Sequence, residues 1–217
     1  MTWGSVGVVA VLVAGIGYYF AQPSPLPKPY VTAFQQGEFR QVPNACRVVS
    51  KSALNTYLGG PPSKSVQSIS DAAKSQCTYQ VDAKPTFREL DITVSAYAPS
   101  LIAPGNGSAT SYARYTFSQT RQVLAKPPRH TPQPAASITP IAGLGSEALS
   151  AVQIYHLGTV NDRVTVLVRY HNVLITASLW ATVGGGFGPV SLTQLQSAAQ
   201  SAARDILAMV KAEPAVT

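Results

Sequence analysis

Charge is scarce in this chain. Only 12% of its 217 residues are Asp, Glu, Lys or Arg, so the formal net charge of +7 is thinly spread. That excludes a basic tail and a nucleic-acid-binding composition. Histidine is scarcer still. His130, His156 and His171 show neither the helical nor the short-loop spacing that a metal site needs, and no carboxylates cluster with them. A shared ligand pair of His156 and His171 across neighbouring strands is weighed against surface histidines, and the plainer reading is preferred. No Gly-x-Ser-x-Gly elbow surrounds Ser146. The stretch Gly143-Leu144-Gly145-Ser146-Glu147-Ala148 superficially matches a dinucleotide loop. Pro140 stands just before it and no parallel βαβ pattern follows, so a turn into a short helical element is expected instead. Among the few carboxylates, Glu89 and Asp91 fall on one face of a strand, because side chains repeat every two residues. Solvation is the simpler reading of that pair. Neither a cofactor nor a metal is implied.

What the chain does have is one long apolar run. Trp3–Ala21 holds nineteen residues without a charge and ends in Tyr18, Tyr19 and Phe20. As a helix it would rise roughly 28 Å, close to a bilayer's hydrocarbon thickness. A cleaved signal peptide fits poorly: no Lys or Arg precedes the run, and a cut after Ala21 would place bulky Tyr19 at −3. A lipoprotein would need a cysteine directly after the run, whereas the first is Cys46. A buried core helix would be amphipathic rather than apolar all round. Residues 1–21 are therefore expected to be an uncleaved single-pass membrane anchor. Orientation has to come from the cysteines, because no basic residue precedes the run. Cys46 and Cys77 are the only two, most simply one disulfide in an exported chain, against the alternative of two buried thiols. A bridge would put the domain outside the cytoplasm.

The rest of the chain supplies one domain, or at a stretch two small ones. Residues 22–43 form a spacer that begins with four prolines in Gln22–Pro29. Within it, Val31–Val42 is either stalk or a first docking segment. The domain is expected over 44–212, with 213–217 as tail. Ser50 caps a short helix to Leu58, with Ala53, Leu54, Tyr57 and Leu58 on its apolar face, stopped by Gly59-Gly60-Pro61-Pro62. Pro61–Asp71 reads as loop, and 76–81 and 86–97 as a pair of strands. Ser108–Leu124 fits a helix with Tyr112, Tyr115, Thr116 and Val123 near one face. Lys126–Pro140, rich in proline, is an exposed connector between halves of similar pattern. Three strands follow, at 151–157, 164–170 and 173–182, with His171-Asn172 as a tight break. The last helix opens on a Ser191/Gln194 capping box with Val190 stapled to Leu195. It buries Leu192, Leu195, Ala199, Ala202, Ile206 and Val210. The expected fold is α+β: an antiparallel sheet of about five strands with helices packed on one face, preceded by a single transmembrane helix.

The order of Cys46-Arg-Val-Val, a short helix ending Tyr57-Leu58-Gly59-Gly60, Cys77-Thr-Tyr and Ile141-Ala-Gly-Leu-Gly-Ser-Glu-Ala148 resembles a family of actinobacterial envelope domains of unknown function. The likeness covers about Cys46 to Lys211. It implies an anchored extracytoplasmic domain with bridged cysteines, and it brings no catalytic residues. This chain departs from the pattern in having no lipobox cysteine and no kinase.

Two weak sites remain. Gly184-Gly185-Gly186 before the last helix could cradle an anion. Arg121, Lys126 and Arg129 form a loose basic patch facing anionic headgroups or phosphate-bearing polymers. The leading reading is a non-catalytic binding or accessory domain at the plasma membrane, extracytoplasmic, with an envelope protein or anionic polymer as partner and no nucleic acid. The alternatives are an envelope hydrolase with a dispersed carboxylate site and an accessory subunit of a larger membrane complex.

Overall fold

Val173–Val183 is the strand that both halves of the chain share. It alternates Val173, Ile175, Ala177, Leu179 and Ala181, all fully buried, with Leu174, Ser178 and Trp180 on its other face. The computed structural model describes residues 31–83, 86–101, 106–126, 135–156, 160–183 and 191–217. In chain order its elements are α1 (Lys51–Leu58), β1 (Lys64–Ser70), β2 (Lys74–Ala83), β3 (Thr86–Ala96) and α2 (Ala109–Leu124). Then come β4 (Ala135–Pro140), β5 (Glu147–His156), β6 (Val160–Tyr170), β7 (Val173–Val183) and α3 (Leu192–Ala212). The seven strands form one antiparallel sheet in the order β1-β2-β3-β7-β6-β5-β4. Two meanders, β1–β3 and β4–β7, thus join where β3 pairs with β7. The central strand carries the most apolar sequence because neither of its faces meets solvent for most of its length.

The expected five strands are corrected to seven, and the two additions are the two edges. β1 (KSVQSIS) falls where a loop is expected, and nearly all of it is exposed. β4 (AASITP) falls inside the proline-rich connector and ends at Pro140. An edge strand is held by backbone pairing on one side and need not bury an alternating face. Neither segment carries the apolar period that marks a strand in sequence.

Helices on one face is the second correction. Leu90, Ile92 and Val94 of β3 and Val164, Val166 and Val168 of β6 point to the same side as Val173 and Ile175. There they meet α3 through Leu195, Ala199, Ala202, Ile206 and Val210, and α1 through Leu54, Tyr57 and Leu58. Each fully buried Leu, Ile or Val contributes roughly 1.5–3 kcal/mol. The opposite face carries Leu149, Ala151, Leu167 and Leu174, and these are covered by Phe117 of α2. The side of α2 turned to the sheet is Ala109, Ala113 and Phe117 rather than the expected one: Tyr115 is 45% and Val123 63% exposed. The sheet is therefore clad on both faces.

Local signals explain the helix ends. Ser50 Oγ accepts from the Ala53 amide at 3.1 Å, and Gly59 closes α1 in the left-handed region at φ 70°. At α3, Ser191 makes no side-chain cap bond, so the expected capping box is not formed; Val190 lies outside the described residues. The loop Ile141–Ser146 is a turn leading straight into β5, with no helical element in it.

The compact unit starts at Val31. Phe39 is buried against Tyr170 and His171, and it bridges Ala215 from the chain's end. Glu38, 1% exposed, accepts from the Thr110 amide and hydroxyl at 2.8 and 2.7 Å and from the Gln35 amide at 2.8 Å. Its carboxylate thereby sits at the positive end of α2. Cys46 and Cys77 form the expected disulfide, with Cα atoms 5.2 Å apart, tying the segment before α1 to β2. Among the described residues no helix is long and apolar enough to cross a membrane, and residues 1–21, where a transmembrane helix is expected, lie outside them. The described fold is thus an α+β domain without that helix.

Candidate functional site

One face of α2 is repeated at i, i+3, i+4 and i+7: Arg114, Phe117, Ser118 and Arg121. That face overhangs the β4–β5 edge and encloses an open groove of about 580 Å³, completed by Ile138, Pro140, Ile141 and Glu147–Leu149. The volume lies within the ~300–1,000 Å³ of small-molecule sites. Phe117, Ile138 and Leu149 make an apolar floor, and Phe117 and Leu149 are almost fully buried.

The rim is cationic. Glu147 and Arg169 are cross-strand partners in the β5–β6 register. Arg169, 5% exposed, donates through Nε to Glu147 Oε2 at 3.3 Å, and its Nη2 lies 3.2 Å from Oε1. Its Nη1 donates to the His171 carbonyl at 3.1 Å. A buried arginine held this way fixes the carboxylate. Arg114 approaches the same carboxylate only to 4.0 Å and is 65% exposed, a pairing of little energetic weight. Arg121 is exposed one helical face-repeat away, about 10 Å along the axis. Arg169 and Arg114 meet the one carboxylate and Arg121 adds a further cation along the groove, leaving its mouth positive.

Of the basic patch expected from sequence, Arg121 lines this groove. Lys126 lies just past the end of α2, and Arg129 is outside the described residues. Arg114 and Arg169 are not expected as site residues from sequence, and Glu147 enters there only as part of the Gly143–Ala148 loop; the i, i+7 spacing of Arg114 and Arg121 is the signal that was available. Gly184, Gly185 and Gly186 lie outside the described residues, as does His130. His156 and His171 are not brought together. They stand at opposite ends of the β5–β6 hairpin, with the 11 residues of β6 between them, or about 36 Å. Among the described residues no group of three metal-ligating side chains occurs.

Glu89 and Asp91 do share a face, on the side of β3 opposite α1 and α3. Thr78 donates its hydroxyl to Asp91 at 2.5 Å. Burial, and after it the neighbouring Asp91 charge, push the Glu89 carboxyl above the ordinary range. Glu89 also lines a shallow recess of about 240 Å³ with Lys64, Thr78 and Gln80. Glu89 and Asp91 thus stand on one polar face of the sheet, with Thr78 held to the second of them.

Comparison of the chain with protein-family models and with curated proteins finds no match. What stands of the resemblance drawn from sequence is the paired-cysteine core.

Proposed function

We propose that this protein is a non-catalytic binding domain of the cell envelope, on the outer side of the plasma membrane, and that it holds an anionic envelope component in the α2/β4–β5 groove. The observation that carries this reading is the pairing of an apolar floor with an arginine rim. Phe117, Ile138 and Leu149 suit a hydrocarbon segment, and Arg114 and Arg121 suit the negative head attached to it. The disulfide supports an oxidising compartment. The uncharged stretch Trp3–Ala21 supplies an apolar segment for targeting to the membrane. The actinobacterial envelope family, resembled in motif order, belongs to the same reading.

The test is a titration of the full chain, in a neutral detergent, with a short-chain anionic phospholipid and with its zwitterionic counterpart. Only the anionic lipid should saturate, and R114E/R121E should weaken it by roughly tenfold or more, since each charge-assisted hydrogen bond is worth about 1.5–3 kcal/mol. Equal binding of both lipids, or an unchanged affinity in the variant, would count against the proposal.

A further inference from the structure

A second groove, on the other face of the sheet, separates α1 from the first half of α3. It has a volume of about 500 Å³ and is lined by Tyr57, Gly59, Arg88, Thr193, Ser197 and Ser201, among others. Arg88 belongs to the row of β3 that continues as Leu90, Ile92 and Val94, all fully buried. The chain therefore places a cation where the pleat calls for an apolar side chain. Its Nε is buried and meets no hydrogen-bond partner among the described residues. Burial alone pulls its pKa down, with no carboxylate acting in the other direction. An uncompensated, partly desolvated guanidinium is costly unless an anion meets it.

The surroundings leave room for the guanidinium and present hydroxyls beside it. A Cβ at residue 59 would sit 3.0 Å from Arg88 Nη1, so the glycine that ends α1 also clears space for the side chain. On α3, Thr193, Ser197 and Ser201 recur every four residues and line up along the groove. The first turn of α3 holds no acidic residue, and Ser191 puts no side-chain oxygen on its amides, so the helix's positive end adds to the same field. The nearest carboxylate on this stretch, Asp205, accepts from the Tyr57 hydroxyl at 2.8 Å.

We infer that this groove binds an anionic sugar, its acidic group on Arg88 and its hydroxyls on the Thr193–Ser197–Ser201 ladder. A lone inorganic anion would fill little of such a volume, and a neutral sugar would leave Arg88 unmatched. The acid is a carboxylate or a phosphate ester, chemistries that one guanidinium accepts alike.

Calorimetric titration of the full chain with glucuronate, glucose 1-phosphate, glucose and inorganic phosphate tests this. At least one of the two acidic sugars should bind roughly tenfold or more tightly than both glucose and phosphate. Which one prevails identifies the acid. R88Q should lose that preference. Because Arg88 is half-buried, S197D provides a second test at an exposed helical site: it places a carboxylate beside the guanidinium and should abolish binding with unchanged circular dichroism and a thermal midpoint no lower than the parent's. Binding of glucose or phosphate as tight as either acidic sugar, no binding of either acidic sugar, or full binding by a folded S197D would overturn the inference.

Discussion

Replacing Asn172 by alanine should cost this fold more than any other single polar-to-alanine change in the β6–β7 turn. The side chain is fully buried. Its Nδ2 donates to the carbonyls of Phe39 and Tyr97, each at 2.8 Å, and its Oδ1 accepts from the Phe39 amide at 2.8 Å. One amide thus fastens the N-terminal segment, the end of β3 and the β6–β7 turn to one another. Truncation leaves three backbone groups without a partner, and each orphaned group costs about 1–3 kcal/mol. Allowing for partial hydration, the loss should be about 3–5 kcal/mol, a large share of the ~5–15 kcal/mol typical of a whole domain. The thermal midpoint should fall by about 6–20 °C for a domain of this size. Urea unfolding followed by circular dichroism measures the first quantity directly. The Phe39 amide should also lose its hydrogen-exchange protection. N172D is a sharper variant, because it keeps the shape while setting a carboxylate against two carbonyl oxygens. It should be less stable than N172A at neutral pH and recover on acidification, when protonation restores a donor. A loss below about 1 kcal/mol in N172A would refute the assignment of this amide as the fold's central polar fastening.

Three further outcomes follow from other parts of the structure. A Cβ at residue 145 would lie 2.6 Å from the Arg169 carbonyl oxygen and from Val168 Cγ1, at φ 67°, whereas one at residue 143, at φ 71°, would meet nothing within 4 Å. G145A should therefore cost about 3 kcal/mol and G143A only about 1, as denaturant titrations would show; equal losses would contradict the packing around Glu147 and Arg169. The Glu89 carboxyl is raised by burial and by Asp91, so its protonated form contributes stability below the ordinary glutamate range that is lost as pH rises through its native pKa. The pH profile should decline upward from about pH 4.3 in the parent and flatten in E89Q; parallel profiles would contradict this. Replacing both Cys46 and Cys77 by alanine opens a loop of sequence separation 31 and should cost about 3–4 kcal/mol by urea titration, and a change under 1 kcal/mol would speak against the bridge as a stabiliser.

Where sequence and structure agree, one apolar period is enough to define the element. β6 alternates from Val164 onward and β7 throughout, and α3 carries its stripe from Leu195 to Val210, so these elements are legible. Ser50 and Gly59 marked the ends of α1 through chemistry that acts within one helical turn. The edges β1 and β4 were illegible because an edge strand is fixed by the neighbour it pairs with, and KSVQSIS and AASITP do not encode that neighbour. The cladding of the second face was hidden by two residues. Phe117 and Leu167 meet across fifty residues of sequence, while the more conspicuous Tyr115 and Val123 point outward. The candidate groove had the same difficulty. Arg121 was visible as charge, but its apolar floor is assembled from α2, β4 and β5, three elements whose contact depends on a strand that the sequence did not announce. Asn172 was readable as a turn residue and not as a fastening, because its partners lie 133 and 75 residues away.

The proposed envelope role requires a domain that folds outside the cytoplasm, where the Cys46–Cys77 bridge persists. Counting thiols in protein taken from acid-quenched native membranes, before and after reductant, tests that most directly. No reactive thiol before reduction and two after it is the predicted result. Two reactive thiols from the start would place the domain in a reducing compartment and contradict the envelope reading.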